Sequence, residues 1–475
     1  MNILIINLPR YQGLSVTREG RCEFVCNYRV DTPATLLIIA SLLRKQNNQI
    51  DFIDANAMNY DFNYIEIALK KKEYECVIFT FNSWIIDYEL KICNIIKKNN
   101  PNCKTIGYSW FAENFSLEIL SKYKNFDIQI IDDPFSVIDI LIDSLKRDRN
   151  LSEVKGITFR DKNDKIIVNK KLENKRKFKD LPIPAYDLLS TFKPYYIYSP
   201  LLKPYALIYA GNGCPFSCTY CTKANTQYSG RSSEDIIKEL EILKKSANLK
   251  YVWFYDEIFT INRRRVIEVC NGIIEKKLNI KWFCDSRVDL VDKQILYLMK
   301  DAGCIGISYG VESGSAKILA AMKKGISLDQ AENALKWTRE ARIPIQLNLI
   351  LGYIGENENT LQETENFVNL ILPEILQIAI IIAMNGTEFT NLAIKNNWIC
   401  ENLSWNEKIT DLRIDSSKYE PFNLNFSKEI KKLYKILYSN PKWWYNGLRI
   451  LVNNYKLIKP LIGIFLNRYK SISLF

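Results

Sequence analysis

Three cysteines stand within eight residues, Cys214, Cys218 and Cys221, in the stretch Gly211-Asn-Gly-Cys-Pro-Phe-Ser-Cys-Thr-Tyr-Cys221. Thiolates so close on one short loop can ligate three irons of an iron–sulfur cubane, leaving the fourth iron open to a small molecule that brings its own amino and carboxylate ligands. Zinc is the competing metal. A structural zinc site, however, closes with four ligands, commonly from CxxC pairs or with His, and this chain has no His. Ordinary buried thiols are the third reading, and three cysteines in eight residues are dense for it. The loop follows an apolar run, Tyr205 to Ala210, so it leaves the end of a strand.

The elements that must hold this loop repeat one pattern. Strand-like runs at Tyr205–Ala210, Tyr251–Tyr255, Ile280–Cys284, Ile305–Gly310, Ile345–Leu351 and Leu376–Ala383 alternate with helical patterns at Ser233–Lys245, Arg263–Lys277, Asp292–Ala302, Leu328–Arg342 and Thr360–Leu370. Six strand–helix units predict a partial (β/α)6 barrel over 201–390, whose active residues gather at the carboxyl ends of the strands. Over 1–148, apolar runs at Ile3–Ile6, Ile50–Ile53, Cys76–Phe81, Lys104–Tyr108 and Asp127–Ile131 also alternate with helical patterns. They predict an α/β domain with a Rossmann-like, doubly wound parallel sheet, a fold that binds ligands at the carboxyl ends of its strands. Residues 149–200 read as a linker with a small β element, and 391–475 as a helical, basic C-terminal region.

At 475 residues, 47% hydrophobic and 25% charged, the chain has the proportions of a globular protein with room for two or three domains. The N-terminus begins with a strand-like run and lacks the features of a signal peptide, and no apolar segment approaches a bilayer span. The expectation is a cytoplasmic protein whose twelve cysteines are thiols and metal ligands. The net charge of +12 is concentrated: residues 428–475 hold ten lysines and arginines against the single acid Glu429, interleaved with Trp443, Trp444, Tyr445, Tyr455, Ile462, Ile464, Phe465 and Leu466. That mixture suits an anionic membrane surface, an acidic or lipid-like substrate, or nucleic acid. The plainer reading is a basic helical cap packed on the body with its lysines in water. Cys22 and Cys26 could form an auxiliary metal site or be free thiols, and Cys76, Cys93, Cys103, Cys270, Cys284 and Cys304 sit in apolar patterns that read as core.

The order of motifs runs from Leu181-Pro-Ile-Pro-Ala-Tyr-Asp187 through the Cys loop, Asp256, Arg287, Gly310-Val-Glu-Ser-Gly314, Gly352 and Asn385-Gly-Thr-Glu388. It resembles, over nearly the whole chain, the radical S-adenosylmethionine (SAM) proteins with a cobalamin-binding domain. That group includes anaerobic cyclases of tetrapyrroles, enzymes of hopanoid and archaeal lipid maturation, and methylases of unactivated carbon. The resemblance implies a [4Fe–4S] cluster on Cys214, Cys218 and Cys221 that cleaves SAM reductively. Hydrogen is then taken from an unactivated carbon, leading to methylation or to cyclisation or coupling of an apolar, small-molecule or lipid-like substrate.

The resemblance also implies an electron donor of flavodoxin or ferredoxin type, and roles for single residues. Tyr220 would support the adenine, Asp256 would accept from the methionine ammonium, and Arg287 would pair with the SAM carboxylate. Glu312 would accept from the ribose hydroxyls or the amino group, and Gly352 would let the nucleoside approach the backbone. Plainer readings stand beside these: a helix N-cap for the Asp256-Glu257 pair, a surface arginine, and a strand-to-helix turn at Gly352. Cobalamin is the further cofactor implied, although without His no imidazole can ligate its cobalt. Where relatives show a double Gly this chain reads Gly107-Tyr-Ser-Trp-Phe111, and a second glycine-rich turn is replaced by Ile131-Asp-Asp-Pro-Phe135. Tyr108 and Trp110 would crowd a corrin or else line a substrate cavity. The rival functions are a radical SAM enzyme that modifies RNA, for which no RNA-binding module is visible, and a non-catalytic zinc-binding interaction protein.

Overall fold

Near-continuous apolar runs such as Asn2–Asn7 and Cys76–Thr80 mark strands buried on both faces, and in the computed structural model of the chain they form a parallel sheet. The structure describes residues 1–20, 22–198, 202–400, 403 and 412–445. The chain divides into two compact units, one built from residues 1–207 and one from residues 208–403 with the described residues after 411.

The strands of the first unit are β1 (Asn2–Asn7), β2 (Ser15–Glu19), β3 (Cys22–Cys26), β4 (Gln49–Asp54), β5 (Cys76–Thr80), β6 (Lys104–Tyr108), β7 (Ile128–Ile130), β8 (Ile157–Arg160) and β9 (Ile166–Val168). Seven of them form a sheet in the order β4-β1-β5-β6-β7-β8-β9. The five predicted strands are parallel to one another, and the helix Ala34–Lys45 buries Leu36, Leu37, Ala40 and Leu43 as its spacing requires. The small β element expected between 149 and 200 is continuous with this sheet: β8 pairs antiparallel with β7, and β9 with β8. A second departure from the expected pattern is the antiparallel hairpin of β2 and β3. Its charged Arg18, Glu19 and Glu23 are buried. Arg18 donates to Asn7 Oδ1 (3.0 Å) and pairs with Glu89, Glu19 accepts from Thr35 Oγ1 (2.6 Å), and Glu23 accepts from Ser83 Oγ (2.7 Å) and Ser109 Oγ (2.8 Å). The hairpin is thereby tied to the carboxyl ends of β1, β5 and β6.

After β10 (Tyr205–Ile208), whose last residue opens the second unit, come β11 (Gly211–Asn212), β12 (Ser229–Gly230), β13 (Tyr251–Phe254), β14 (Lys281–Ser286), β15 (Cys304–Glu312), β16 (Ile345–Leu351) and β17 (Ile375–Ile380). Six of these form the predicted barrel sheet in the order β10-β13-β14-β15-β16-β17, parallel from β13 to β17. Helices Ser233–Ala247, Arg263–Glu275, Lys293–Asp301, Leu328–Glu340 and Glu358–Ile371 connect them. Each begins at a side-chain cap, in turn Ser232, Asn262, Asp292, Ser327 and Asn357, which satisfies first-turn N–H groups. The C-terminal region is helical where described, with Phe426–Ser439 burying Phe426, Leu433 and Leu437; Tyr455, Ile462, Ile464, Phe465 and Leu466 lie outside the described residues. Among the described residues no helix is long and apolar enough to cross a membrane. Of the Cys22 and Cys26 pair, the Cys22 side chain lies outside the described residues, and Cys26 is buried beside Ser15 and the Arg29 carbonyl. The six cysteines read as core are all buried.

Candidate active site

The Cys loop is closed at its base. β11 and β12 pair antiparallel, Gly211 opposite Gly230 and Asn212 opposite Ser229, so residues 213–228 form one loop at the exit of β10. Gly213 has φ +94°, and a Cβ there would stand 2.3 Å from the Gln227 carbonyl oxygen, so only glycine fits directly before Cys214. Thr226 grips Cys214 on both sides: its Oγ1 accepts from Cys214 N (2.9 Å) and its N donates to Cys214 O (2.9 Å). Cys218 is buried, while Cys214 and Cys221 are half-buried. Burial pushes the Cys214 and Cys221 thiols up, so metal binding there would expel protons. Among the described residues no three His, Cys, Asp or Glu side chains gather around a single-ion position.

Two of the predicted SAM-pocket residues meet beside the loop. Glu312, at the end of β15 with φ +78°, has Oε1 2.9 Å from Lys324 Nζ. The same ammonium donates to the Tyr220 hydroxyl at 3.2 Å. Gly310 makes room for this pair, since a Cβ there would lie 2.4 Å from Glu312 Oε1 and 3.2 Å from Lys324 Nζ. Burial and the Glu312 carboxylate push the Tyr220 phenol well up and keep it neutral. Lys324 was not singled out from the sequence: it follows Lys323 in a basic pair of the kind that reads as solvated, yet it is buried. Tyr353 was also missed. It bonds the Thr219 hydroxyl and lies edge-on to Tyr220, with ring centroids 6.4 Å apart at 77°.

The other three predicted residues brace the site. Asp256 accepts from Ala210 N (2.7 Å) and pairs with Arg265 (3.0 Å), which itself donates to Ala210 O (2.7 Å), so both groups clamp the exit of β10. Burial pushes the Asp256 carboxyl up to about 6 against the pull of Arg265. The neighbouring Glu257 faces the Cys loop and accepts from Gly213 N at 3.0 Å. Neither acid caps the following helix, whose cap is Asn262. Arg287 is no surface arginine. It is buried, bidentate to Asp289 (2.9 and 3.0 Å), bonded to the Lys324 carbonyl (2.9 Å), and stacked 3.7 Å over the ring of Phe216 between the first two cysteines. Gly352 has φ +83°, but a Cβ there would meet Phe422 and Phe426 at 3.1 Å, and its carbonyl accepts from Tyr419 (2.9 Å). That face is covered by the C-terminal region, and the next residue, Tyr353, is the one that reaches the loop. Burial pushes Glu356, which accepts from Gly352 N, up to about 7.

On the sheet face opposite the helices, Trp253 donates to Asp285 (2.9 Å), Asn348 to Ser308 (2.9 Å), and Gln346 to Asn348 (3.0 Å) and Gln377 (3.0 Å). An aromatic ring thus lies beside a ladder of hydroxyl and amide groups.

A parallel half-barrel with a three-cysteine loop at the exit of its first strand defines a class. Residues 208–368 match the model of the Radical SAM superfamily, and the chain is a radical SAM enzyme. It is 26% identical over 420 residues to an uncharacterised methyltransferase of Pyrococcus horikoshii, covering 86% of this chain and 88% of that protein. It is also 26% identical over 376 residues to the anaerobic magnesium-protoporphyrin IX monomethyl ester cyclase of Rubrivivax gelatinosus, covering 77% of this chain and 65% of the cyclase. In structure it is similar to the radical SAM methyltransferase TsrM of Kitasatospora setae (TM-score 0.72, 12% identity, 93% of this chain and 89% of TsrM). It is also similar to the cobalamin-dependent SAM radical enzyme OxsB (TM-score 0.66, 18% identity, 91% of this chain and 61% of OxsB). At these identities the structural likeness is one of fold.

Proposed function

We propose that this enzyme uses a [4Fe–4S] cluster on Cys214, Cys218 and Cys221 to cleave SAM reductively and methylate an unactivated carbon of a small molecule. The observation that carries this reading is the placement of Glu312 and Lys324 against Tyr220 of a closed loop bearing three thiols. When bound, such a cluster supplies the electron that splits a sulfur–carbon bond of SAM. The residues of the chain bind and orient. Glu312 offers acceptors to ribose hydroxyls or the amino group, Lys324 a charged donor to a carboxylate, Glu257 a carboxylate to an ammonium, and Tyr220 an aromatic ring to the adenine. Arg287, Asp256 and Gly352 act one step back, through Phe216, Ala210 and the turn before Tyr353. With no His in the chain, proton movement falls to Tyr, Asp, Glu, Lys or Cys.

Methylation is favoured over cyclisation because the methyltransferase of Pyrococcus horikoshii matches along most of both chains. The mixed face around Trp253, Asp285, Ser308 and Asn348 suits a substrate with a flat apolar body and a hydrogen-bonding group. A flavodoxin- or ferredoxin-type donor in the cytoplasm would supply electrons. We also assign cobalamin to the carboxyl ends of the parallel strands of the first unit, where it would serve as a methyl carrier. The bulk expected to crowd that place is stowed: the Trp110 indole lies against Gly20 of the hairpin, where a Cβ would come within 3.2 Å, and edge-on to Tyr108 at 5.0 Å. Tyr108 itself is buried. The donor set contains no imidazole for cobalt, so shape and polar contacts would hold the corrin.

Anaerobic reconstitution with iron, sulfide and hydroxocobalamin, followed by gel filtration and then dithionite with SAM, tests both assignments. The expected result is corrin absorption that travels with the protein, and deoxyadenosine in the products. Protein free of corrin removes the cobalamin assignment, and intact SAM removes the reaction.

A further inference from the structure

Strand β15 runs through the middle of the barrel sheet, and at alternate positions it carries Gly306, Ser308 and Gly310. Alternate residues of a strand share a face, so on the face opposite the helices one short hydroxyl side chain stands between two glycines. Phe283 lies over Gly306, where a Cβ would come within 2.9 Å of its ring, and the pair of Glu312 and Lys324 lies over Gly310. Ser308 is thus the floor of a slot, with an aromatic ring at one end and two residues assigned to SAM at the other. Strand β16 keeps this side of the sheet accessible: Ile345, Leu347, Leu349 and Leu351 are buried, whereas Gln346 and Asn348 are half-buried.

The hydrogen bonds of the slot run in one direction. Gln346 Nε2 has two protons, and its nearest acceptors are Asn348 Oδ1 and Gln377 Oε1, each at 3.0 Å. Asn348 Nδ2 in turn donates to Ser308 Oγ at 2.9 Å, and Gln346 Nε2 lies 3.3 Å from the same oxygen. Ser308 therefore receives amide protons and cannot return its own to them. No acceptor for that hydroxyl proton stands among the described residues, although Ser308 is only 7% exposed. Buried polar groups are almost always satisfied, so a donor left over at the floor of an open slot calls for an acceptor from outside the chain.

Charge narrows what that acceptor is. Asp285 stands directly opposite Ser308 on the neighbouring strand and sets a carboxylate beside the slot. The cations at the carboxyl end of the same strands are committed, Arg287 to Asp289 and Lys324 to Glu312. A carboxylate or phosphate placed on Ser308 would face Asp285 with no counter-charge of its own.

Resting on the reading of this half-barrel as the place where SAM meets substrate, we propose that Ser308 is a specificity-determining residue, oriented by Asn348, that donates to a neutral carbonyl oxygen of the substrate. The substrate is then a flat, apolar ketone, ester or amide and not an acid.

The test uses the full chain reconstituted with iron and sulfide, its iron content measured, and loaded with S-adenosylhomocysteine. Equilibrium dialysis compares three probes with the same flat body: 2-acetylnaphthalene, 2-ethylnaphthalene and 2-naphthoate. The acetyl compound should bind about tenfold more tightly than the ethyl compound, and the naphthoate no more tightly than the ethyl compound. Ser308→Ala should abolish the preference for the acetyl compound and leave binding of the ethyl compound unchanged. Asn348→Asp exchanges the amide that donates to Ser308 for a carboxylate that takes its proton, so it should abolish the same preference with the hydroxyl still in place. Equal binding of the two neutral probes, tighter binding of the naphthoate, a preference that survives both substitutions, or no saturable binding of the acetyl compound overturns the proposal. Dialysis needs no turnover, and failure to retain iron counts against the cluster reading instead, so the two failures are told apart.

Discussion

Lys324 and Glu312 form an ion pair in which both side chains are almost fully withdrawn from water, with the Tyr220 hydroxyl on the same ammonium. Removing one member of such a pair strands the other charge in a low-dielectric place, which costs far more than the intact pair contributes. Lys324→Met should therefore lower unfolding stability by about 3–5 kcal/mol in urea titrations, and adding Glu312→Gln should recover most of that loss. On the proposed reading both variants should also bind SAM more weakly, the first having lost the donor offered to its carboxylate and the second the Glu312 carboxylate as well. A Lys324→Met protein as stable as the parent would show that the pair is not formed. Arg287 illustrates how a residue found from its motif can act at one remove: its guanidinium is held by Asp289 and the Lys324 carbonyl and lies on Phe216, so it shapes the loop that carries the cysteines.

At the scale of elements, the loop depends on the geometry of its base. Gly213→Ala must move either the new methyl or the Gln227 carbonyl, at a φ that disfavours a side chain. The expected outcome is a loss of about 1–3 kcal/mol together with a marked fall in iron retained after reconstitution. Normal iron content would count against the closed loop. The hairpin of β2 and β3 makes a separate prediction. Burial, with Glu89 adding to it, pushes Glu23 up to about 7 from its ordinary 4.5, against the bonds it accepts from Ser83 and Ser109. Because the folded value lies above the unfolded one, the contribution of Glu23 to stability is complete below the unfolded value and is lost as pH rises through 7. Thermal melts should thus show Glu23→Gln gaining on the parent as pH rises from about 5 to 8. Asp256 and Glu356 shift in the same direction, so the difference between the two proteins is the quantity to follow.

The strands and helices were legible because their apolar spacing is regular, and the Cys loop because ligand chemistry is local in sequence. The hairpin was not, since Arg18, Glu19 and Glu23 point inward and invert the pattern that marks a buried strand. Lys324 was hidden for a related reason. It lies in the turn after the short helix Ala316–Ala321, and only the fold brings it back to Glu312. The joining of β8 to β7 depends on a pairing between strands that no periodicity encodes.

Over the whole molecule, the two units carry different parts of the account. The first supplies a parallel sheet whose strand ends are tied to the chain's own hairpin, the second a half-barrel that holds the thiols and the charged residues beside them. The excess positive charge is concentrated at the carboxyl-terminal end of the sequence. Everything catalytic rests on three thiolates sharing one cubane. The most direct test is iron and sulfide analysis of anaerobically reconstituted protein, with electron paramagnetic resonance after dithionite, for the parent and for Cys218→Ala. The account predicts about four irons and four sulfides per chain and a reduced-cluster signal that changes when SAM is added, with the signal lost in the variant. Stoichiometric zinc, or a cluster signal that persists unchanged in Cys218→Ala, would contradict it.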